Sequence, residues 1–422
     1  MSAEILDELR WRNLIAETTD EAALAAAVAA GPVTLYCGFD PTAPSLHFGN
    51  LVQLVTLRRF QDAGHRPIGV VGGATGLVGD PSGKSAERSL NDAATVEAWV
   101  ERIRPQVERL LAFDGPNAAR IVNNLEWTRD LPTLTFLREV GKHFSVARML
   151  AKESVAARLS GEGISFTEFS YQILQAMDYL ELYRRYGCTL QTGGSDQWGN
   201  LTAGVDLIRR AEGASVHALA TPLITRADGS KYGKTEAGAI FLDPAMTSPF
   251  AFYQYFVNQA DADVVALLKV FSFRDREQIS ELERAVAERP EAREAQQVLA
   301  RELTSLVHGS AEAEKAERAS EALFGRGDLA ALDADTLQAA VSELPRAEVD
   351  GAMPPLLDLL VATGLAASRG DARRTIAEGG AYLNNRRVSD PDEEPGPSTL
   401  LHGRWLLLRR GKRNLAVVER RA

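Results

Sequence analysis

The sequence predicts an α/β protein, with a Rossmann-like doubly wound parallel sheet in the first half, then an α-helical region and a small α+β module. Three observations lead there. From Val33 to about Ile240, short apolar runs bounded by glycine and proline alternate with segments of helical period, the pattern of parallel strands joined by crossover helices. After Pro249 the glycines thin out, and Ala, Glu, Leu and Arg dominate from Asp263 to about Ala322. Pro345 and the Pro354-Pro355 pair then interrupt the helical pattern, because proline cannot continue a helix and restricts the residue before it.

The first unit is read from Val33-Thr34-Leu35-Tyr36 and Ile68-Gly69-Val70-Val71 as strands, with Leu51, Leu54, Val55 and Leu57 to Phe60 marking a helix between them. Such a sheet places its ligand at the carboxyl ends of its strands, where the glycine-rich and polar residues of this region fall. A chain of 422 residues exceeds what one core sustains, so several domains are expected. The expected boundaries are an α/β domain over 1–246, a helical domain over 247–330, a linker over 331–353 and a small C-terminal module over 354–422.

Composition narrows the class. With 45% hydrophobic and 25% charged residues, and no apolar run near the roughly 20 residues that span a bilayer, an ordinary globular protein is expected and a membrane protein is not. The start, Met1-Ser2-Ala3-Glu4 with Asp7 and Glu8 following, lacks the basic and apolar stretches of a secretory signal, so a cytoplasmic location is expected. Cys37 and Cys188 are too few for a disulfide framework or a zinc site. The net charge is −10, yet residues 354–422 hold 12 Lys and Arg against 8 Asp and Glu. That asymmetry points to polyanion contact at the C-terminal end.

Five segments carry chemistry. Tyr36 to Asn50 leaves a strand and opens a helix; a helix start offers unpaired N–H groups and the positive dipole end, which suit phosphate. His47 and Asn50 share one face there, and Gly49 leaves room for a flat base; an ordinary turn with Ser45 or Thr42 as N-cap and a capping histidine is the alternative. Gly72 to Ser85 ends in Gly83-Lys84-Ser85 but has Val78 where a phosphate loop needs glycine. Gly233-Lys234-Thr235 fails likewise, with Asp228 at that position. In Phe169 to Leu180, helical period brings Tyr171, Gln175 and Asp178 within about 60° of one another, one aromatic, one amide and one carboxylate on a stripe. Such a stripe could hold a substrate hydroxyl and an ammonium group, or be a solvated face. Gln191 to Asn200 is a glycine-bearing loop feeding a helix, with Asp196 placed to accept from ribose hydroxyls. Asp228 to Thr235 sets Lys231 and Lys234 three apart in a glycine-punctuated loop; it is a solvated turn or a cationic clamp for a leaving pyrophosphate.

Taken in order, these segments resemble the class I aminoacyl-tRNA synthetases. Their His-Ile-Gly-His and Lys-Met-Ser-Lys-Ser signatures stand here as His47-Phe48-Gly49-Asn50 and Lys231-Tyr232-Gly233-Lys234-Thr235. The segments Tyr36 to Asn50, Tyr171 to Asp178 and Gly193 to Asn200 resemble the bacterial tyrosyl-tRNA synthetases in particular. Pro355 to Leu360, Ser368 to Arg374 and Gly380 to Asn384 resemble a small RNA-binding domain shared with a ribosomal small-subunit protein.

The resemblance implies a ligase that activates tyrosine with ATP and transfers it to tRNA. It implies that Tyr36 and Asp178 hold the phenolic hydroxyl, and that Asp80, Tyr171 and Gln175 hold the ammonium. Thr42 and His47 would meet the ATP phosphates, with Asn50 in the position of the second histidine, able to donate a hydrogen bond but never charged. Gly38, Asp40, Gly49 and Gly194 would border the nucleotide, and Asp196 with Gln197 the ribose and carboxylate region. Lys84, Arg88, Lys231 and Lys234, with Thr235 beside them, would stabilise pyrophosphate. Magnesium is expected with ATP; no permanent cofactor and no protein metal site is. Arg369, Arg373 and Arg374 would meet RNA phosphates, and the family implies a homodimer. The rival readings are a tryptophanyl relative, a synthetase-like RNA binder without catalysis, and a small-cofactor nucleotidyl transferase.

Overall fold

The computed structural model describes residues 4–82, 90–159, 163–230, 232–235, 238–324, 327–342, 344–411 and 414–421, with the backbone alone for Glu153, Ser154, Ala157, Lys234 and Thr235. Residues 1–246 and 260–295 form one compact unit, and residues 247–259 and 296–422 a second.

The first unit is built on a six-stranded sheet. Its strands are β1 (Glu17–Thr18), β2 (Thr34–Phe39), β3 (Arg66–Val71), β4 (Arg120–Asn123), β5 (Cys188–Gly194) and β6 (His217–Thr221). The order is β1-β6-β5-β2-β3-β4. Strands β2 to β6 are mutually parallel, and the short β1 runs antiparallel to β6. The chain steps outward from β2 to β3 and β4, then returns to lay β5 on the other side of β2, with Tyr36 opposite both Ile68 and Gln191. This reversal opens a crevice beyond the carboxyl ends of β2 and β5.

Two helices frame that crevice. Helix Phe48–Asp62 follows β2 and buries Leu51, Leu54, Val55, Leu57 and Phe60. The 21-residue helix Phe166–Tyr186 starts where the Ser165 hydroxyl accepts from the Glu168 N–H at 3.2 Å and stops at Gly187, whose φ of 62° suits glycine. Among the described residues, no helix is long and apolar enough to cross a membrane.

Helices Asp261–Phe271 and Arg276–Glu288 belong to this first unit, whereas the expected boundary put them in a separate helical domain. The buried Arg12 guanidinium explains it, donating to the carbonyls of Lys269 and Ser272 at 2.8 Å and of Arg274 at 2.6 Å. Arg59 joins it on the carbonyls of Val270, at 3.2 Å, and Ser272, at 2.6 Å. Burial pushes the Arg59 pKa down to about 9.

The second unit carries a five-stranded sheet, ordered β11-β10-β12-β13-β9, after a two-stranded ribbon of β7 (Lys234–Thr235) and β8 (Gly238–Ala239) in the first unit. Its strands are β9 (Arg346–Asp350), β10 (Ala381–Leu383), β11 (Arg386–Arg387), β12 (Trp405–Arg410) and β13 (Asn414–Arg421). Side-chain alternation gives β12 and β13 two buried faces. Trp405, Leu407, Leu415 and Val417 join a core with Leu323, Leu337 and Val341, while Leu406, Leu408 and Val418 join another with Leu356, Leu360 and Ile376.

The expected linker over 331–353 is therefore corrected. Helix Ala334–Val341 supplies core, and β9 pairs in parallel with β13 from Arg346 to Asp350. Pro345 starts an edge strand, where only its carbonyl is needed, and that carbonyl accepts from the Val417 N–H at 2.9 Å. A cut at residue 354 would split a single sheet.

Candidate active site

A cavity of about 500 Å³ occupies the crevice. Fourteen of the residues singled out in the sequence border it: Tyr36, Gly38, Asp40, Thr42, His47, Gly49, Asn50, Asp80, Tyr171, Gln175, Asp178, Gly194, Asp196 and Gln197. Lys84, Arg88 and Lys231 lie outside the described residues, and of Lys234 and Thr235 only the backbone is described, as strand β7. Tyr232 and Gly233 of that segment border the cavity.

At the deep end stands Asp178, buried on helix Phe166–Tyr186. Its carboxylate accepts from the Trp127 indole N–H at 2.8 Å and from the Asn124 amide at 2.9 Å. The second Asn124 N–H goes to the Thr75 hydroxyl at 2.9 Å, and that hydroxyl donates to Asp40 at 2.6 Å. The Tyr171 hydroxyl completes the chain, donating to the other Asp40 oxygen at 2.5 Å. Burial raises the Asp178 pKa to about 7 against the lowering effect of its two donors.

Some polar groups here lack partners. The Tyr36 hydroxyl and the Gln175 and Gln191 carbonyl oxygens are buried without a hydrogen-bond partner among the described residues, and all three residues border the cavity. Buried polar atoms are nearly always paired, so a ligand that supplies the missing partners is indicated. Burial first, and the Asp178 charge second, hold the Tyr36 phenol far above the ordinary tyrosine pKa, so it remains a donor.

Asp80, after β3, accepts from the Gln197 amide at 2.6 Å and the Ser82 N–H at 2.9 Å. Asn200 bridges to the Gln197 carbonyl at 3.0 Å. Tyr171 was expected to work beside Asp80; its hydroxyl is instead given to Asp40, which was read only as a nucleotide contact. Gln53 ties the two halves of the sheet, donating to the Thr221 hydroxyl at 2.7 Å.

At the mouth, His47 is the N-cap of helix Phe48–Asp62, so the capping histidine of the alternative reading is present while neither Ser45 nor Thr42 is the N-cap. Its Nδ1 accepts from the Gly49 N–H at 3.0 Å, and Asn50 returns the cap by accepting from the His47 N–H at 3.0 Å. His47 is exposed as a residue, yet withdrawal from bulk water by the surrounding protein lowers its pKa. A neutral ring with Nδ1 accepting carries its proton on Nε2.

The expectation of free amides at this helix start is corrected. The Phe48 N–H goes to the Ile240 carbonyl at 2.8 Å and the Asn50 N–H to the His47 carbonyl at 2.9 Å, with Gly49 bound to the histidine ring. Side chains and the helix dipole, not these three amides, are left to meet an anion.

Glycines shape the floor. A Cβ on Gly72 would run into the Asp40 carboxylate and the Thr75 hydroxyl, whereas one on Gly38 would meet nothing within 4 Å and project into the cavity. Thr75, Asn124, Trp127, Gln191 and Gln53 were not identified as site residues from sequence. The available signal was Asn124, at the N-cap of the short helix Leu125–Thr128 that follows β4, with Trp127 inside that helix.

This crevice, with a histidine-led helix at its mouth and a lysine-bearing segment bordering it, defines the catalytic domain of a class I aminoacyl-tRNA synthetase. A family model described as tRNA synthetases class I (W and Y) matches residues 29–325, and one described as the tyrosine-tRNA ligase SYY-like C-terminal domain matches residues 336–418. The chain is 61% identical over 418 residues to a tyrosine-tRNA ligase of Streptomyces griseus, covering 99% of this chain and 98% of that one. It is 60% identical over 423 residues to a tyrosine-tRNA ligase of Mycobacterium tuberculosis, covering both in full. A C-terminally truncated mitochondrial tyrosyl-tRNA synthetase of Aspergillus nidulans superposes with a TM-score of 0.70 at 30% identity, over 76% of this chain and 94% of that one. The chain belongs to the tyrosine-tRNA ligase family.

The raised Asp178 pKa makes a testable statement about stability. The folded protein holds this proton between the ordinary carboxylate range and about pH 7, where the unfolded chain has lost it. The contribution is full below about pH 4 and is lost as pH rises through about 7. Urea titrations at intervals from pH 4 to 8 should show wild type losing stability relative to Asp178→Asn across that window; a pH-independent difference between the two would refute the assignment.

Proposed function

We propose that the cavity holds tyrosine and ATP together, and that the chain joins them as tyrosyl-adenylate before passing the tyrosyl group to tRNA. The observation that carries this is the unpartnered Tyr36 hydroxyl near the buried Asp178 carboxylate. A phenol entering between them would accept from Tyr36 and donate to Asp178, whereas phenylalanine would leave the Tyr36 hydroxyl unpartnered and set an apolar ring edge against the Asp178 carboxylate. Tryptophan offers an indole N–H but no acceptor for the Tyr36 hydroxyl, so the same pair favours tyrosine over the tryptophanyl alternative.

The ammonium would lie near the Gln175 oxygen, with Asp80 and the Tyr171–Asp40 pair contributing negative charge and lone pairs. The tyrosine carboxylate is ionised at neutral pH, so it attacks the α-phosphorus directly; the P–O bond to pyrophosphate breaks as the acyl-phosphate bond forms. His47, donating through Nε2, would meet the phosphates with Thr42. Asn50, Gly38, Gly49, Gly194 and Asp196 would border the nucleotide, and Gln197 the carboxylate region. By family resemblance Lys84, Arg88, Lys231, Lys234 and Thr235 would offset the charge of pyrophosphate. In the second step the terminal ribose hydroxyl of tRNA attacks the acyl carbon and AMP leaves. Magnesium would arrive as part of the ATP substrate, held chiefly by the phosphates. Asp40 and Asp80 are already engaged by neighbouring donors.

The reading extends to RNA, assembly and location. Arg369, Arg373 and Arg374 lie on helix Arg369–Ala377. Arg369 is paired with Asp358, Arg373 stands 3.7 Å from Asp392, and Arg374 is exposed, so phosphates would compete with two surface carboxylates. A homodimer is supported by exposed apolar side chains between residues 134 and 166, led by Leu134 at 73% and Phe166 at 77%. Cys37 and Cys188 are buried free thiols, in keeping with a cytoplasmic setting.

Three outcomes are expected. Purified protein drives tyrosine-dependent ATP–pyrophosphate exchange, and Asp178→Ala cuts its preference for tyrosine over phenylalanine by roughly ten- to a hundredfold, the worth of a hydrogen bond to a charged group; an unchanged ratio would falsify the role of that carboxylate. Replacing Arg369, Arg373 and Arg374 by Gln leaves exchange intact while weakening tRNA charging and flattening its salt dependence, and equal loss of both activities would count against an RNA role. Sedimentation should find a dimer that Leu134→Asp with Phe166→Asp converts to monomer; a wild-type monomer at micromolar concentration would end that part of the reading.

A further inference from the structure

The segment that carries Lys231 and Lys234 is tied down at both ends within the first unit. At its near end it forms a tight hairpin. The Tyr232 N–H returns to the Ile224 carbonyl at 3.2 Å, the Arg226 N–H to the Ser230 carbonyl at 2.8 Å, and Gly229 takes the turn with φ of 83°. The Ala227 N–H is given to a distant residue, the Asp263 carboxylate, at 2.8 Å. At the far end the Ile240 N–H bonds the Gly233 carbonyl at 2.9 Å, and the Ile240 carbonyl accepts from Phe48 at the start of the His47-capped helix.

Asp263 is buried in the first turn of helix Asp261–Phe271. The opposite end of that helix is bolted by Arg12 and Arg59, whose guanidiniums take the carbonyls of Lys269, Val270, Ser272 and Arg274. Arg59 belongs to the helix that His47 caps, and the Phe48 ring packs 4.7 Å from Phe271 and 6.4 Å from Tyr232 between centroids. The contacts close a circuit from histidine to Arg59, along helix Asp261–Phe271 to Asp263, and back through Ala227 to the lysine segment. Helix Asp261–Phe271 is thus a second tie, beside the Ile240–Phe48 bond, between the lysine segment and the His47-capped helix.

We infer that Asp263 is a positioning residue for adenylate formation: its carboxylate, through the Ala227 N–H, fixes the foot of the lysine segment relative to His47. This rests on the proposal that both lysines meet the phosphates. Asp263 itself touches no reacting atom. Its effect falls on the rate of adenylyl transfer, in which pyrophosphate leaves, and on ATP, not on tyrosine affinity, because among the described residues no hydrogen bond joins it to Tyr36, Tyr171, Gln175 or Asp178.

The test compares wild type, Asp263→Ala and Asp263→Asn. Asparagine keeps an oxygen that accepts from Ala227 but loses the charge at the helix start; alanine loses both. In exchange assays Asp263→Ala should lower kcat by about tenfold or more, as loss of positioning does, with tyrosine Kd unchanged, and Asp263→Asn should return most of the rate. Trypsin cutting after Arg226, Lys231 and Lys234 of the folded full chain should be faster in the alanine variant than in wild type or the asparagine variant. Equal loss in both variants, in step with equal falls in Tm, would reduce the role to helix charge and overturn the inference, as would wild-type kinetics in the alanine variant. Should wild type show no tyrosine-dependent exchange, the functional reading falls, while the proteolysis series still decides for or against the anchor.

Discussion

The structure turns on a carboxylate held out of water. An isolated buried charge is costly, and Asp178 is tolerated because Trp127 and Asn124 donate to it and a relay of fixed direction stands behind them. Each member has one role: Tyr171 donates to Asp40, Thr75 accepts from Asn124 and donates to Asp40, and Asn124 splits its two N–H groups between Thr75 and Asp178. Because the donors are used up, no member can rotate without orphaning a neighbour, and the acceptor left for a ligand keeps its direction. The Tyr36 hydroxyl stands near this acceptor as a buried donor without a partner among the described residues.

Topology gathers these groups. Tyr36 comes from β2, Thr75 and Asp80 from the stretch after β3, Asn124 and Trp127 from the end of β4, and Gln191 from β5. Four strands deliver side chains to one crevice because the sheet grows in both directions from β2. Gly72 makes the approach possible, since a side chain there would displace the Asp40–Thr75 bond. Arg12 and Arg59 extend the arrangement outward by recruiting a helix that lies more than two hundred residues further along the chain.

What was legible in the sequence was local. The stripe of Tyr171, Gln175 and Asp178 follows from helical period, and the strand-helix-strand unit around His47 follows from its apolar spacing; both are present. What was not legible depended on distant partners. Asn124 meets Thr75 across 49 residues and Asp178 across 54, and a lone asparagine announces neither. The helix start looked like an anion site because its amides have no local acceptor. The Phe48 amide is taken by Ile240, and a histidine ring occupies the next. Pro345 looked like the middle of a linker for a similar reason: a missing N–H signals a break unless the strand beside it asks only for a carbonyl.

The C-terminal sheet has an order that matters while the chain is being made. Among the described residues, strand β9 pairs with β13 alone, which lies interior to the sheet and starts at Asn414. Until the ribosome has released residues 414–421, both edges of β9 are bare and β12 lacks its partner on one side. The first unit, whose β-sheet is complete by Thr221, can collapse long before that. An interrupted translation product would therefore pair a finished catalytic half with an unclosed second sheet, and such raw strand edges and exposed leucines are features that chaperones and proteases engage.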